Sequence, residues 1–369
     1  MTSYRAHSPD YTLMIITGIL ALVGIFMVAS ASPVIGETRF GEAYFFLKNQ
    51  ITGMLIGIAA FFICWHAKYT YWKRLAPLIL IASLVLMALV FVPGIGIELK
   101  GAARWIQVGP FTIQPAEITK LAFIVYVAAW LEAKQKYVRN FSTGFIPFLI
   151  LLSAVSLFFI LQPDIGTLGV LAITATLLFF AGGGKLAQIT ILCLIGVVSF
   201  GFIVFLQPYR LDRITVFLQP NHDIQGIGYQ LNQSLIAIGS GGFWGKGFGM
   251  SQQKFQYLPE PTGDSIFAVF GEEFGFVGNI GLILLFLLFS WRGIRIANYA
   301  PDVFASYLAT GITLLIVIQA FTNMAAIIGL VPLTGLPLTF ISYGSSALIV
   351  HLAAVGILMN VSKYTRQGS

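Results

Sequence analysis

Residues 255–275 read FQYLPEPTGDSIFAVFGEEFG, a polar loop that runs directly into an apolar helix. Four carboxylates, Glu260, Asp264, Glu272 and Glu273, fall in this stretch of a chain that has only 14 acidic residues. A carboxylate at the edge of an apolar segment is costly to desolvate, so it is either solvated by a cavity or engaged in chemistry. Asp264 sits at the point of re-entry, and the rest of the chain is read outward from it.

The chain has 369 residues, of which 57% are hydrophobic and 9% charged, against about 25% charged in ordinary soluble domains. That composition belongs in a membrane. Apolar runs close to 20 residues long recur, as helices crossing a hydrocarbon core of about 30 Å require. The short alternating stretches of a transmembrane barrel do not appear. The predicted fold is therefore all-α, a polytopic membrane protein with spans near residues 11–32, 44–65, 75–93, 113–133, 144–162, 164–181, 186–206, 265–291, 303–330 and 342–361. Residues 1–369 form a single membrane domain, and residues 207–263 are a long loop between the seventh and eighth spans. The apolar run after Arg5 ends in Ala29-Ser30-Ala31-Ser32 like a signal peptide, but its length and the spans that follow predict an uncleaved first helix.

Ten spans put both termini on one side. Arg5, Lys68, Lys73, Arg74, Lys134, Lys136, Arg139, Lys185, Arg292, Arg295, Lys363 and Arg366 fall on that side. They outnumber Arg39, Lys48, Lys100, Arg104, Arg210, Arg213, Lys246 and Lys254 opposite, which predicts cytoplasmic termini. The formal charge of +7 is dispersed between apolar runs rather than gathered into a patch, so nucleic acid is excluded as a partner. Cys64 and Cys193 lie inside apolar runs and act as small hydrophobes, with no disulfide framework. His7, His66, His222 and His351 have no ligand spacing, so no protein metal site is predicted.

With that topology three features face outward: residues 95–112, the corner Gln162-Pro163-Asp164, and the long loop. The first contains Arg104 and Trp105, and Gln114-Pro115-Ala116-Glu117-Ile118-Thr119-Lys120 follows it. Glu117 and Lys120, at i and i+3, share one helix face. They are either a structural ion pair or substrate contacts. Asp164 is either the N-cap of the sixth span or a partner of Lys120 or Arg104. Arg210 and Arg213 have the i, i+3 spacing of an anion clamp, since guanidinium forks bind phosphate bidentately, and a solvated loop face is the plainer reading. The run Gly239-Ser240-Gly241-Gly242-Phe243-Trp244-Gly245-Lys246-Gly247 lacks the Ser or Thr and the glycine spacing of a phosphate-binding P-loop, so ATP binding is excluded. Asp264 is either a helix N-cap or a base whose charged form is disfavoured by apolar surroundings.

Together these motifs resemble the SEDS family of membrane glycosyltransferases, the FtsW/RodA proteins, over nearly the whole chain. The closing signature is Asn323, Gly329-Leu330-Val331-Pro332-Leu333-Thr334-Gly335-Leu336-Pro337-Leu338 and Phe340-Ile341-Ser342-Tyr343-Gly344-Ser345-Ser346-Ala347, with Ser345 where the family usually has a second glycine. The family pattern L-P-E-x-x-x-D-F-I-F-A is matched from Leu258 to Ala268, with Thr262-Gly263 replacing His-Thr and Ser265 replacing Phe. Gln114 to Lys120 and Gln162 to Thr167 match two further family motifs. Ala116, Pro208-Tyr209-Arg210, Gly228-Tyr229-Gln230-Leu231 and Gln253-Lys254-Phe255-Gln256-Tyr257 are more similar to the division-type FtsW branch.

The resemblance implies polymerisation of lipid II into glycan strands at the outer face of a bacterial cytoplasmic membrane. Asp264 would be the catalytic base and Glu260 a supporting loop residue. Arg104, Lys120, Arg210 and Arg213 would neutralise the departing pyrophosphate, with Glu117, Trp105 and Asp164 supporting the site. It also implies a class B penicillin-binding protein as the cross-linking partner, beside other divisome or elongasome membrane proteins. No cofactor is assigned, and a divalent cation at the pyrophosphate is the one addition left open. A lipid-linked-precursor flippase is the rival reading from a different class, and a noncatalytic scaffold is the third.

Overall fold

The computed structural model describes residues 7–366 except 100, 101, 110, 206–212, 214, 220–225, 227 and 256. Each of the ten predicted spans is a helix: α1 Tyr11–Ala31, α3 Phe45–His66, α4 Tyr69–Leu89, α5 Pro115–Ala133, α6 Ile146–Leu161, α7 Ile165–Ala181, α8 Leu186–Phe205, α10 Ile266–Asn298, α11 Val303–Ile327 and α12 Ser345–Ser362. Two shorter helices, α2 (Pro33–Phe40) and α9 (Tyr229–Ser240), lie in the connections. Among the described residues eight helices are long and apolar enough to cross a membrane, α6 being counted together with the π-helical turn Phe141–Phe145 that runs into it. The other two spans fall short for opposite reasons: α7 has 17 residues, and α5 carries Glu117, Lys120 and Glu132.

The boundaries differ most at the end of α10, which runs to Asn298 rather than residue 291, and at α4, which starts at Tyr69 rather than near residue 75 and takes Lys73 and Arg74 into its first turns. Lys73 Nζ meets the Glu132 carboxylate of α5 at 2.6 Å, so the edge charges of two neighbouring helices are paired rather than left in a loop. The all-α expectation is also incomplete. Part of the connection between α4 and α5 is a three-stranded antiparallel sheet, β1 Gly96–Leu99, β2 Ala102–Val108 and β3 Phe111–Ile113, in that order. Two hairpins this short give little length for a periodic signal.

The chain ends meet. His7 N–H donates to Lys363 O at 2.9 Å, and the Asp10 carboxylate that caps α1 also pairs with Arg292 Nη2 of α10 at 2.6 Å. The most extensive helix contact joins α3 and α12. Gly53 and Gly57 of α3 lie against Ser345 and Leu352, and Gly356 of α12 lies against Phe61. Small residues allow such close approach where burial against lipid supplies no hydrophobic drive.

Between α11 and α12, residues 328–344 form a non-helical strap that crosses the molecule beside the head of α10. The chain has been fitted to it on several sides. A Cβ on Gly24 of α1 would lie 2.2 Å from Phe340 O, and one on Gly166 of α7 would lie 2.6 Å from Thr334 O. Phe340 itself has φ 66, a conformation costing a non-glycine residue about 1–3 kcal/mol, and such strain concentrates where a site is being held in shape.

Candidate functional site

Asp264 lies half-buried one residue before Ser265, which occupies the N-cap position of α10. The capping reading of Asp264 is therefore corrected: the cap position belongs to Ser265, whose hydroxyl accepts from Gln230 Nε2 of α9 at 3.0 Å. The backbone around Asp264 is clamped from three sides. Asn323 Nδ2 of α11 donates to Asp264 O at 2.8 Å and to Leu336 O of the strap at 2.6 Å. Ser342 Oγ donates to Gly263 O at 2.7 Å, and Tyr343 N–H donates to Thr262 O at 2.8 Å. Glu260 O takes the N–H groups of Gly263 and Ser265 at 3.0 and 3.3 Å. A Cβ on Gly335 of the strap would sit 3.9 Å from Asp264 Oδ2, so the carboxylate faces the strap where it carries no side chain.

Glu260 has φ 49, the second strained residue that borders the site, and its carboxylate lies 4.0 Å from Arg39 Nη2. It supports the turn leading to Asp264 through its carbonyl. Next to this turn a cavity of about 230 Å³ is lined by Arg213, Tyr229, Gln230, Leu231, Pro259 and Pro332 among others. Arg213 Nη1 donates to Leu333 O of the strap at 2.9 Å, which brings one arm of the predicted anion clamp to the cavity wall. Arg210, the other arm, lies outside the described residues.

Glu117 and Lys120 are closed off. Lys120 Nζ meets Glu117 Oε1 at 2.8 Å with both side chains 1% exposed. The ammonium also donates to Gln319 Oε1, and Gln319 Nε2 donates to Pro337 O at 3.2 Å. The ion pair thus reaches the strap through one amide, and the predicted role of Lys120 as an accessible cation meets a side chain that is buried and paired. A buried pair of this kind adds little net stability, but losing one partner is costly.

Arg104 is turned to a neighbouring corner. Its Nε donates to Gln162 O at 3.0 Å and its Nη2 to Pro163 O at 2.6 Å. Of the two readings of Asp164 the structure shows the cap, which accepts from Thr167 N–H at 3.3 Å at the start of α7, while Arg104 grips carbonyls instead of that carboxylate. Trp105 follows in β2, opposite Ile97 of β1. Alternation along a strand turns it to the face opposite Arg104.

The remaining carboxylates of the opening stretch serve another purpose. Glu272 accepts from Lys246 Nζ at 2.7 Å, from Gln252 and Gln253 N–H at 3.1 and 3.2 Å, and from the Ser240 and Ser251 hydroxyls. Glu273 pairs with Lys254 Nζ at 2.8 Å and accepts from Ser30 Oγ of α1. Both carboxylates are buried; Glu273 reaches a bundle partner in Ser30, whereas the partners of Glu272 all belong to the long loop.

Gln319, Asn323 and Gln230 were not assigned roles from the sequence. A signal for two of them existed: Gln319 and Asn323 stand at i and i+4 in an apolar span, where uncompensated amides are expensive and must find partners. Gln230 carried no comparable signal, because its partner Ser265 is 35 residues away. Among the described residues no three His, Cys, Asp or Glu side chains converge to hold a metal.

Residues 11–367 match the family described as Cell cycle protein, comprising FtsW, RodA and SpoVE. The chain is 44% identical to Stage V sporulation protein E of Bacillus subtilis (strain 168), over 98% of this chain and 99% of that one. It is 40% identical to the probable peptidoglycan glycosyltransferase FtsW of Geobacter sp. (strain M18), with the same shares covered. Among solved structures it is similar to a chain described under "Structural coordination of polymerization and crosslinking by a peptidoglycan synthase complex", with TM-score 0.78, 25% identity and both chains fully covered. It is also similar to the Rod shape determining protein RodA of Thermus thermophilus, with TM-score 0.72, 25% identity and 100% and 99% of the two chains covered.

Proposed function

The chain belongs to the FtsW, RodA and SpoVE family of membrane proteins, and from that premise we propose that it is a peptidoglycan glycosyltransferase that polymerises lipid II. The 4-hydroxyl of an acceptor's GlcNAc attacks C1 of the donor's MurNAc with inversion. The bond from C1 to undecaprenyl pyrophosphate breaks, and the hydroxyl proton passes to Asp264. A general base has to be within hydrogen-bond reach of the proton that it takes. The observation that carries this reading is the fixed placement of Asp264, half-buried at the head of α10 and held through its own carbonyl by Asn323. Arg213 at the cavity wall, with Arg210, is the favoured cationic contact for the pyrophosphate, since charge-assisted guanidinium bonds are the strong ones. A divalent cation, if one takes part, arrives with the pyrophosphate, because the described residues build no site for it.

The reaction lies on the outer face of the bacterial cytoplasmic membrane, with both chain ends in the cytoplasm, on the distribution of Lys and Arg. Cross-linking comes from a separate class B penicillin-binding protein; the likeness to a chain from a peptidoglycan synthase complex supports such a pairing. Purified protein given lipid II in detergent, where there is no membrane to cross, tests the enzyme against the flippase. Glycan strands from the parent and none from Asp264→Asn are expected. Undiminished polymer from the variant overturns the base assignment, and no polymer from the parent in the presence of its cross-linking partner overturns the enzyme reading.

A further inference from the structure

The glycine-rich run that does not fit a P-loop has a different physical use. Gly275 interrupts α10 with φ 65 and ψ −162, and residues 241–247 are laid against the break. Phe276 and Val277 N–H donate to Gly242 and Phe243 O, while Lys246 and Gly247 N–H donate to Glu272 and Glu273 O at 3.0 Å. The backbones are too close for side chains: a Cβ on Gly241 would lie 2.1 Å from Gly271 O, and one on Gly245 would lie 2.2 Å from Glu273 O. The buried Glu272 and Glu273 ion pairs with Lys246 and Lys254 fasten the same segment from within.

A segment so tightly fixed nevertheless turns its large apolar side chains outward. Phe243, Trp244, Phe248 and Met250 are 57, 77, 52 and 66% exposed. These side chains continue surfaces that already face lipid on two spans. Phe243 stacks on Phe276 of α10 at 5.8 Å, and Phe248 packs edge-on against Phe26 of α1 at 6.3 Å. Both Phe276 and Phe26 are more than half exposed.

We propose that residues 241–250 form an interfacial wedge, seated with Phe243, Trp244, Phe248 and Met250 in the headgroup and acyl boundary of the lipid bilayer. Aromatic side chains favour that layer, and an apolar surface lying on a membrane enters it by about 5–10 Å. The occupant is bilayer lipid because the patch is continuous with the lipid-facing sides of α1 and α10. The consequence rests on the proposed function. Glu272, whose carbonyl takes Lys246 N–H, is eight residues past Asp264, so about 12 Å of helical rise separates the base from the point where the wedge is fastened to α10. The wedge sets the height of the base above the membrane that carries its lipid-linked substrate.

The test uses full-length protein in vesicles of phosphatidylethanolamine and phosphatidylglycerol, on a Cys193→Ser background with Cys64 left buried. Nitroxide is attached at Trp244→Cys or, separately, Phe248→Cys, with Leu284→Cys on the exposed face of α10 and Glu37→Cys in the exposed α2 as references. Collision with oxygen, which concentrates in lipid, is compared with collision with a water-soluble nickel chelate. An oxygen-to-nickel ratio several-fold above that at position 37 and below that at position 284 is expected at both wedge positions. A ratio equal to that at position 37 overturns the proposal. The readout needs no catalysis, so its failure is distinct from failure of the enzyme reading, and two independent surface positions guard against one misfolded variant.

Discussion

Asn323→Asp keeps the shape of a side chain that is 1% exposed and replaces its two-pronged donor with a carboxylate oxygen. In the parent that donor holds Asp264 O at 2.8 Å and Leu336 O at 2.6 Å. Two hydrogen bonds at about 1 kcal/mol each set the lower end of the cost, and each buried carbonyl left without a donor adds about 1–3 kcal/mol. A protonated aspartate recovers one bond at most. The loss falls on the link between the turn at Asp264 and the strap, so it shifts Asp264 relative to Gly335 while leaving the membrane helices packed. A displacement near 1 Å costs a reaction that depends on alignment about 100-fold. The assay is glycan formation by purified protein from lipid II in detergent, with thermal unfolding recorded on the same samples. A drop of that order in turnover is expected, with Asn323→Asp still folded at the assay temperature. Undiminished turnover in a protein whose Asp264→Asn variant is inactive would refute the clamp.

Three further outcomes follow from the buried contacts. Gly245→Ala places a methyl group on Glu273 O at a residue with φ 82, so the loop must lift from the kink; a lower unfolding temperature and easier proteolysis within residues 241–254 are expected. Lys254→Met leaves the Glu273 carboxylate buried without its cation, at about 3–5 kcal/mol, and adding Glu273→Gln should return part of the lost stability in a denaturation series. Lys120→Met strands Glu117 in the same way, and Lys120→Met with Glu117→Gln should again be milder than the single change. If both single and double variants at Lys120 unfold alike, the pair is not the link that supports the strap.

The spans were legible because hydropathy reports directly on a membrane environment: all ten became helices, and most ends agree within a few residues. Edges were lost where charge pairing extends a helix, as Lys73 does through Glu132 at the start of α4. Asp264, Glu260 and the strap motif were legible as motifs, but their relation was not. The 79 residues between Ser342 and Gly263 leave no periodic trace of the hydrogen bond that joins them. Lys120 misled for a similar reason. A cation near a predicted outer edge reads as accessible, and only the positions of Glu117 and Gln319 show that it is buried against an anion and an amide. The glycines at 241, 245 and 275 were visible as an unusual run whose cause, close backbone approach, depends on a partner segment elsewhere in the chain.

The seam between α3 and α12 also bears on how the molecule is made. α3 is made early, and its face of small residues waits for a partner that begins only at Ser345. The strap that faces Asp264 is translated just before that partner and is drawn into place by Gln50 of α3, whose amide donates to Ser342 O at 3.2 Å. The Ser342 end of the strap therefore depends on a seam completed late, while Asn323 of α11 already holds its Leu336 end. A chain cut short before Ser345 is expected to keep the Asn323 grip on Leu336 and to lose the α3 seam that holds the other end of the strap.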